Sequence, residues 1–277
     1  MIYKDKKISI LGCGWLGLPL AKKLILKGET IKGSTTSLDK LKILEKLKIQ
    51  SYLIQLSEDG ITETISEFLE ESDILVINIP PKLRKNSNEN FVTKIKNLIP
   101  YIETSSISKV LFISSTSVYG DTPERIILTE KNIPIPSTEG GQQLVEVEQM
   151  LQNNTKFKTT IIRFGGLIGQ DRHPVKHLAG KENLENPEAP INLIHQTDCI
   201  GIIEAVLNHH DHNKVWGETL NAVAPFHPTR KSYYTKKAIE NNLEIPKFAI
   251  DSDTEGKIID STFLRNELQY EFNIDLY

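Results

Sequence analysis

Several things are scarce in this chain of 277 residues. Cysteine occurs only as Cys13 and Cys199. Their distance in sequence excludes a CxxC site and any disulfide framework, and suits a reducing, cytoplasmic protein. No apolar run approaches the roughly 18 to 20 residues that a membrane helix needs. The first residues lead directly into a strand-like segment in place of a secretory apolar core, so neither a signal peptide nor a membrane partner is expected. Charge of one sign is not in excess: 33 basic against 36 acidic residues leave a net charge of -3, which offers nucleic acid no attraction. His209-His210-x-His212 has no carboxylate or cysteine arrangement to complete a metal site and reads as a solvated helix end, so no metal is expected.

What is present is an ordinary globular balance, 39% hydrophobic and 25% charged, arranged as alternating strands and helices. Residues 7 to 11 read as a buried strand, and 18 to 27 carry apolar side chains at helical spacing up to Gly28, a C-cap. Strands at 30 to 34 and 51 to 56 enclose a helix over 38 to 47. A short helix at 65 to 69 precedes 73 to 79, a nearly continuous apolar run stopped by Pro80-Pro81, as expected of a central parallel strand covered on both faces. A helix over 90 to 102 and a strand over 109 to 115 follow. Beyond a polar, proline-bearing connection over 121 to 137, a helix at 141 to 152 and a strand at 158 to 164 continue the series. Residues 165 to 190 look irregular, as functional loops do. A strand at 191 to 195, a helix at 198 to 208 and a tail of short strands with a helix over 231 to 241 complete the chain.

This alternation predicts an α/β protein, a Rossmann-type doubly wound parallel sheet with a small C-terminal substrate lobe. Residues 1–164 form the dinucleotide-binding domain, and 165–277 supply the remainder of the sheet plus that lobe as one structural unit. The cleft between them is the expected site.

Gly12-Cys13-Gly14-Trp15-Leu16-Gly17 lies between the first strand and the first helix, the context that gives a Gly-x-Gly-x-x-Gly pattern its meaning. Gly12 permits the tight turn, Gly14 lets a pyrophosphate approach the backbone, and Gly17 lets helix and strand pack closely. An NAD site usually has Asp or Glu at the end of the second strand. Here Thr35, Thr36 and Ser37 stand with Lys40 nearby, donors suited to a 2′-phosphate, so NADP is expected, with NAD as the alternative. Asn78, Ile79 and Pro80 end the fourth strand, and Ser114 the fifth, where they would border the same cofactor.

Phe112-Ile113-Ser114-Ser115-Thr116-Ser117-Val118-Tyr119-Gly120 resembles the strand-five signature of the extended short-chain dehydrogenases/reductases, the NAD-dependent epimerase/dehydratase group. Arg163-Phe164-Gly165-Gly166-Leu167-Ile168-Gly169 and Ile191-Asn192-Leu193-Ile194-His195-Gln196-Thr197-Asp198 are similar to later segments of that group, in its order, so the resemblance spans roughly residues 7 to 225. It implies that Ser115 is the active-site hydroxyl, with Tyr119 and Gly165 on the substrate side; Tyr119 also reads as a half-buried aromatic packed near the turn. The group's decisive pair is Tyr-x-x-x-Lys. Aligned on Glu146-Val147-Glu148, those positions hold Gly140 and Leu144, so the chain resembles atypical members without the pair. The loop departs too, with Leu11 where extended members place a first glycine. Tyr233 and Lys237 have the same spacing, which chance also supplies.

Gln170-Asp171-Arg172-His173-Pro174-Val175-Lys176-His177 concentrates charge in the irregular segment. Arg172 and Lys176 would clamp an anionic substrate, and His173 or His195 would give a proton near neutral pH; a solvated loop with local ion pairs is the plainer reading. The expected function is an NAD(P)-dependent oxidoreductase or epimerase/dehydratase-like protein acting on a small polar, anionic, carbonyl or sugar compound, as a monomer or homodimer. The alternatives are a non-catalytic NADP-binding sensor or regulatory protein, and a binder of mononucleotides alone.

Overall fold

The computed structural model describes residues 6–81, 90–209, 212–250 and 255–273. Residues 1–5 and His210 of the histidine run lie outside them. In chain order the elements are β1 (Lys7–Leu11), α1 (Gly17–Leu26), β2 (Thr30–Thr35), α2 (Leu38–Lys46), β3 (Gln50–Leu53), α3 (Ile65–Leu69), β4 (Ile74–Ile77), α4 (Phe91–Glu103), β5 (Lys109–Ser115), β6 (Ile127–Leu128) and α5 (Glu139–Gln152). There follow β7 (Lys158–Phe164), β8 (Gly166–Ile168), α6 (Val175–Leu178), β9 (Leu193–His195), α7 (Gln196–Asn208), α8 (His212–Val215), β10 (Thr219–Ala222), α9 (Arg230–Glu240), β11 (Ile258–Ile259) and α10 (Thr262–Leu268).

A seven-stranded sheet in the order β10-β7-β5-β4-β1-β2-β3, parallel throughout, is the doubly wound arrangement expected. All four residues of β4 are buried because both faces are covered. Ile74 and Val76 join Ile8, Ile10 and Ile162 against Leu20, Ala21 and Leu24 of α1 and Ile203 and Val206 of α7. Leu75 and Ile77, one residue out of phase, meet Phe68 of α3, Ile95 and Leu98 of α4 and Val147 of α5 on the other face. The period of two along each strand decides which layer a side chain enters. Lys23 on α1 and Lys27, which caps its end, both pair with Glu204 on α7, fixing those helices side by side.

The chain leaves β1 outward through β2 and β3, then returns to lay β4 on the other flank of β1. At such a switch point the loops after two neighbouring strands diverge and open a crevice at the carboxyl edge. Here those loops begin at Gly12 and Asn78.

The segment over 165 to 190 is more ordered than its composition suggests. It contains β8, paired in parallel with β9, and the single turn α6, which with α9 encloses a smaller core of Ile168, Val175, Leu193, Tyr233 and Ala238. β6 and β11 form a second two-stranded pair. Helix α5 starts at Glu139, two residues before the expected position, because Thr138 caps it by accepting from the Gly141 N–H at 3.1 Å.

Candidate functional site

Gly12 turns the chain out of β1 with φ +105°, and a Cβ there would stand 2.5 Å from the Asn78 carbonyl oxygen. At Gly17, the first residue of α1, a Cβ would overlap the Gly12 carbonyl. The Asn78 amide donates to that carbonyl at 2.9 Å, while the Ser34 hydroxyl accepts from the Gly12 N–H at 2.9 Å and the Ser34 carbonyl from the Cys13 N–H at 2.8 Å. The loop is therefore pinned between β2 and β4. Gly14 differs: nothing lies within 4 Å of its hypothetical Cβ. The N–H groups of Gly14, Trp15, Leu16 and Gly17 have no acceptor among the described residues. Open space beside free N–H groups at the positive end of a ten-residue helix is the chemistry of an anion cradle. Burial pushes the Cys13 thiol up to about 12, so it packs against Gly33 and is no nucleophile.

At the end of β2, Thr35 is buried and its hydroxyl accepts from the Ser37 N–H at 3.2 Å. Thr36 and Lys40 are exposed, and Ser37 precedes α2 without a side-chain capping bond. None of these three side chains has a polar partner among the described residues, which leaves their donors facing solvent. Asp39 follows in the first turn of α2. Asn78, Ile79 and Pro80 form the opposite wall.

Ser114 and Ser115 end β5 with different environments. The Ser114 hydroxyl is buried and donates to Glu148 of α5 at 2.5 Å. Ser115 is half-buried beside Phe164 in the β5–β7 register, one residue before Gly165, and its hydroxyl accepts from the Ser117 N–H at 3.2 Å. A hydroxyl that accepts locally keeps its own proton available to the cleft. Tyr119 lies in the interior. Arg163 donates to its phenolic oxygen at 2.5 Å, and the phenol has acceptors in Thr129 O at 3.2 Å and Asn221 Oδ1 at 3.3 Å. Burial raises its pKa, so its place is in a buried polar network with Arg163 and Glu148 and not toward a substrate.

The charged run after β8 is divided among unrelated partners. Asp171 accepts from the Trp15 indole N–H at 2.8 Å, and the Arg172 guanidinium lies over the same ring, 5.1 Å from its centroid. Lys176 is exposed on α6. His173 accepts from the Val175 N–H at Nδ1, 3.2 Å away, so its proton is on Nε2, which meets the Tyr233 hydroxyl at 3.0 Å. Burial, then Lys237 and Lys176, lower its pKa. Both ring nitrogens are engaged within the protein. Tyr233 is itself buried, with its pKa raised chiefly by burial, and Lys237 sits over the ring face at 5.7 Å while pairing with Glu240. That arrangement opposes the lowered phenol pKa an acid–base tyrosine requires.

His195 caps α7, its Nδ1 accepting from the Thr197 N–H at 3.1 Å. Its proton is consequently on Nε2, which has no acceptor among the described residues. Its neighbour Gln196 donates to the Trp15 carbonyl at 2.6 Å, which ties the start of α7 to the glycine loop. On α5, Leu144 is buried one turn before Glu148, and Gly141 passes so close to the Ser117 carbonyl that a Cβ would overlap it.

Sequence reasoning names the loop residues but misses Ser34, Asp171 and Gln196, which hold that loop in place, and Glu148, which pairs with Arg163. Only Glu148 carries a sequence signal, a carboxylate on the apolar face of α5 between Leu144 and Leu151. A cavity of about 620 Å³ runs along α9, lined by Glu188, Thr229, Lys231 and Ile239 among others. It shares no residue with the loop or Ser115. Among the described residues no helix is long and apolar enough to cross a membrane, and no group of three or more His, Cys, Asp or Glu could hold a metal ion.

No family model matches the chain. It is 34% identical over 269 residues to protein YeeZ of Escherichia coli strain K12, covering 96% of each sequence. Among solved structures it superposes on UDP-glucuronic acid 4-epimerase from Bacillus cereus in complex with NAD, with TM-score 0.78 and 18% identity over 98% of this chain and 92% of that one. A short-chain dehydrogenase/reductase superfamily protein from Agrobacterium tumefaciens with bound NAD gives TM-score 0.79 and 16% identity over 98% and 93%.

Proposed function

Because this chain belongs to the family of protein YeeZ and shares its fold with NAD-bound epimerase and reductase structures, we propose that it is an NADP-dependent oxidoreductase or epimerase. Its substrate is a small polar carbonyl or sugar compound. The observation that carries this reading is the pinned glycine loop, rigid at Gly12 and Gly17 yet open at Gly14, with unsatisfied N–H groups facing the opening.

The residues fit a pyridine dinucleotide. The N–H groups from Gly14 to Gly17 would hold its pyrophosphate. Thr36, Ser37 and Lys40, free of polar partners among the described residues, would hold a 2′-phosphate, which favours NADP over NAD. Pro80, Ser114 and Ser115 would border the nicotinamide end, and that ring, when bound, supplies or accepts the hydride. The protein contributes the proton. Ser115 keeps its hydroxyl proton free, and His195 presents an unengaged Nε2–H, whereas His173 is occupied with Tyr233. With Gly140 and Leu144 on α5 in place of Tyr and Lys, the protein is an atypical member of its fold group, and the Ser115–His195 set takes over the task of the missing phenol. The same feature favours a second reading, a protein that binds NADP without turnover.

Turnover decides between the two. With NADPH and a panel of small aldehydes, ketones and nucleotide sugars, the enzyme reading expects coenzyme oxidation that Ser115→Ala slows about a hundredfold, a general-acid magnitude, with NADPH affinity unchanged. Tight binding with no turnover of any compound in either coenzyme direction supports the sensor.

A further inference from the structure

Arg172 was expected to face substrate, yet its position relates it to the glycine loop. The turn at 169–172 is closed by reciprocal backbone bonds, Gly169 N–H to Arg172 O at 2.8 Å and Arg172 N–H to Gly169 O at 3.1 Å. It rests on Trp15: a Cβ at Gly169 would stand 2.8 Å from the indole ring. Asp171 takes the indole N–H at 2.8 Å, an interaction that also lowers its carboxyl pKa, and Gln196 takes the Trp15 carbonyl. Trp15 is thereby held by the turn after β8 and by the first residue of α7, while its own backbone N–H stays free in the anion cradle.

The guanidinium of Arg172 lies over that ring, 5.1 Å from its centroid, and makes no hydrogen bond or ion pair with any described residue. Its neighbour Asp171 is directed to the indole. A guanidinium attracted to a ring and otherwise unpaired keeps its N–H donors available, and their fork matches phosphate oxygens. We propose that Arg172 is a coenzyme residue, clamping from outside the pyrophosphate that the loop N–H groups hold from below, and that Trp15 is the hinge on which it is mounted. The inference rests on the dinucleotide reading and deepens it.

The test is dinucleotide binding by the full chain and by Arg172→Met, Arg172→Lys and Trp15→Phe, with melting temperatures taken without coenzyme. Arg172→Met should weaken NADPH and NADH by the same factor, about tenfold, the scale of one charge-assisted contact. Arg172→Lys should recover part of the loss, and Trp15→Phe, which keeps the ring but removes the bond to Asp171, should weaken both coenzymes severalfold. An unchanged melting temperature of Arg172→Met belongs to this result. Undiminished affinity in Arg172→Met overturns the proposal, as does a loss matched by a fall in melting temperature, which would make the residue structural. Failure of the unaltered protein to bind either dinucleotide would instead strike the functional reading itself.

Discussion

Replacing Gly14 by valine should leave the protein folded and weaken dinucleotide binding about a hundredfold, roughly 2.7 kcal/mol. The position is not among those with positive φ, so a β-branched residue meets no backbone prohibition, and nothing lies within 4 Å of the Cβ it would gain. The added methyl groups enter the space a pyrophosphate would occupy, and no other contact suffers. The neighbouring glycines should behave in the opposite sense. Gly12→Ala forces φ +105° on a side chain and drives a Cβ to 2.5 Å from Asn78 O, a strain of about 1 to 3 kcal/mol that lowers the melting temperature itself. Gly17→Ala displaces α1 from the turn. Thermal melting and calorimetry on the three variants separate the residue that makes room for a ligand from those that make the loop. A Gly14→Val protein that binds NADPH normally would refute this assignment.

The Glu148–Arg163 pair should prove the most sensitive polar contact in the interior. Their side chains are 3% and 7% exposed. The Arg163 Nε donates to both Glu148 oxygens at 3.1 and 3.2 Å and a terminal nitrogen at 2.6 Å, while Ser114 donates to the same carboxylate. Glu148→Met leaves a guanidinium buried without its counter-ion and should cost about 3 to 5 kcal/mol. The double variant Glu148→Met, Arg163→Met removes both charges at similar volume and should recover most of that loss. Denaturant titration of the two single variants and the double variant checks it. Losses under about 1 kcal/mol would mean that water or another group compensates. The pair also ties α5 to β7 directly behind Ser114 and Ser115, so the single variant should impair turnover beyond its effect on stability.

The sheet was legible because parallel strands buried on both faces must be apolar without interruption. The run from Ile74 to Ile77 satisfies that requirement plainly and Val110 to Ile113 within Lys109–Ser115 does too, whereas Lys158–Phe164 is interrupted by Thr159, Thr160 and Arg163 and is legible only by its place in the strand–helix alternation. β8 was not legible: three residues carry no period, and the strand exists because Gly166 to Ile168 find Leu193 to His195 far along the chain. β6 and β11 escape for the same reason, as two-residue strands that define each other. The glycine loop could be read because its demands are local, a positive φ and a close approach within six residues. The charged run from 170 to 177 could not, since its density suggests one anionic ligand while its partners are scattered. Asp171 bonds Trp15, 156 residues away in sequence, and His173 bonds Tyr233, 60 residues away. Composition shows that such groups are clustered, and only the fold decides which of them remain free.

The most direct test is calorimetric titration of the purified protein, stripped of nucleotide, with NADPH and NADH in parallel. The loop at residues 12–17 together with Thr36, Ser37 and Lys40 predicts tight binding of NADPH and at least about tenfold weaker binding of NADH, a difference of roughly 1.4 kcal/mol. Equal affinities would refute the 2′-phosphate assignment, and absence of binding to both would contradict the central claim that this loop holds a pyridine dinucleotide.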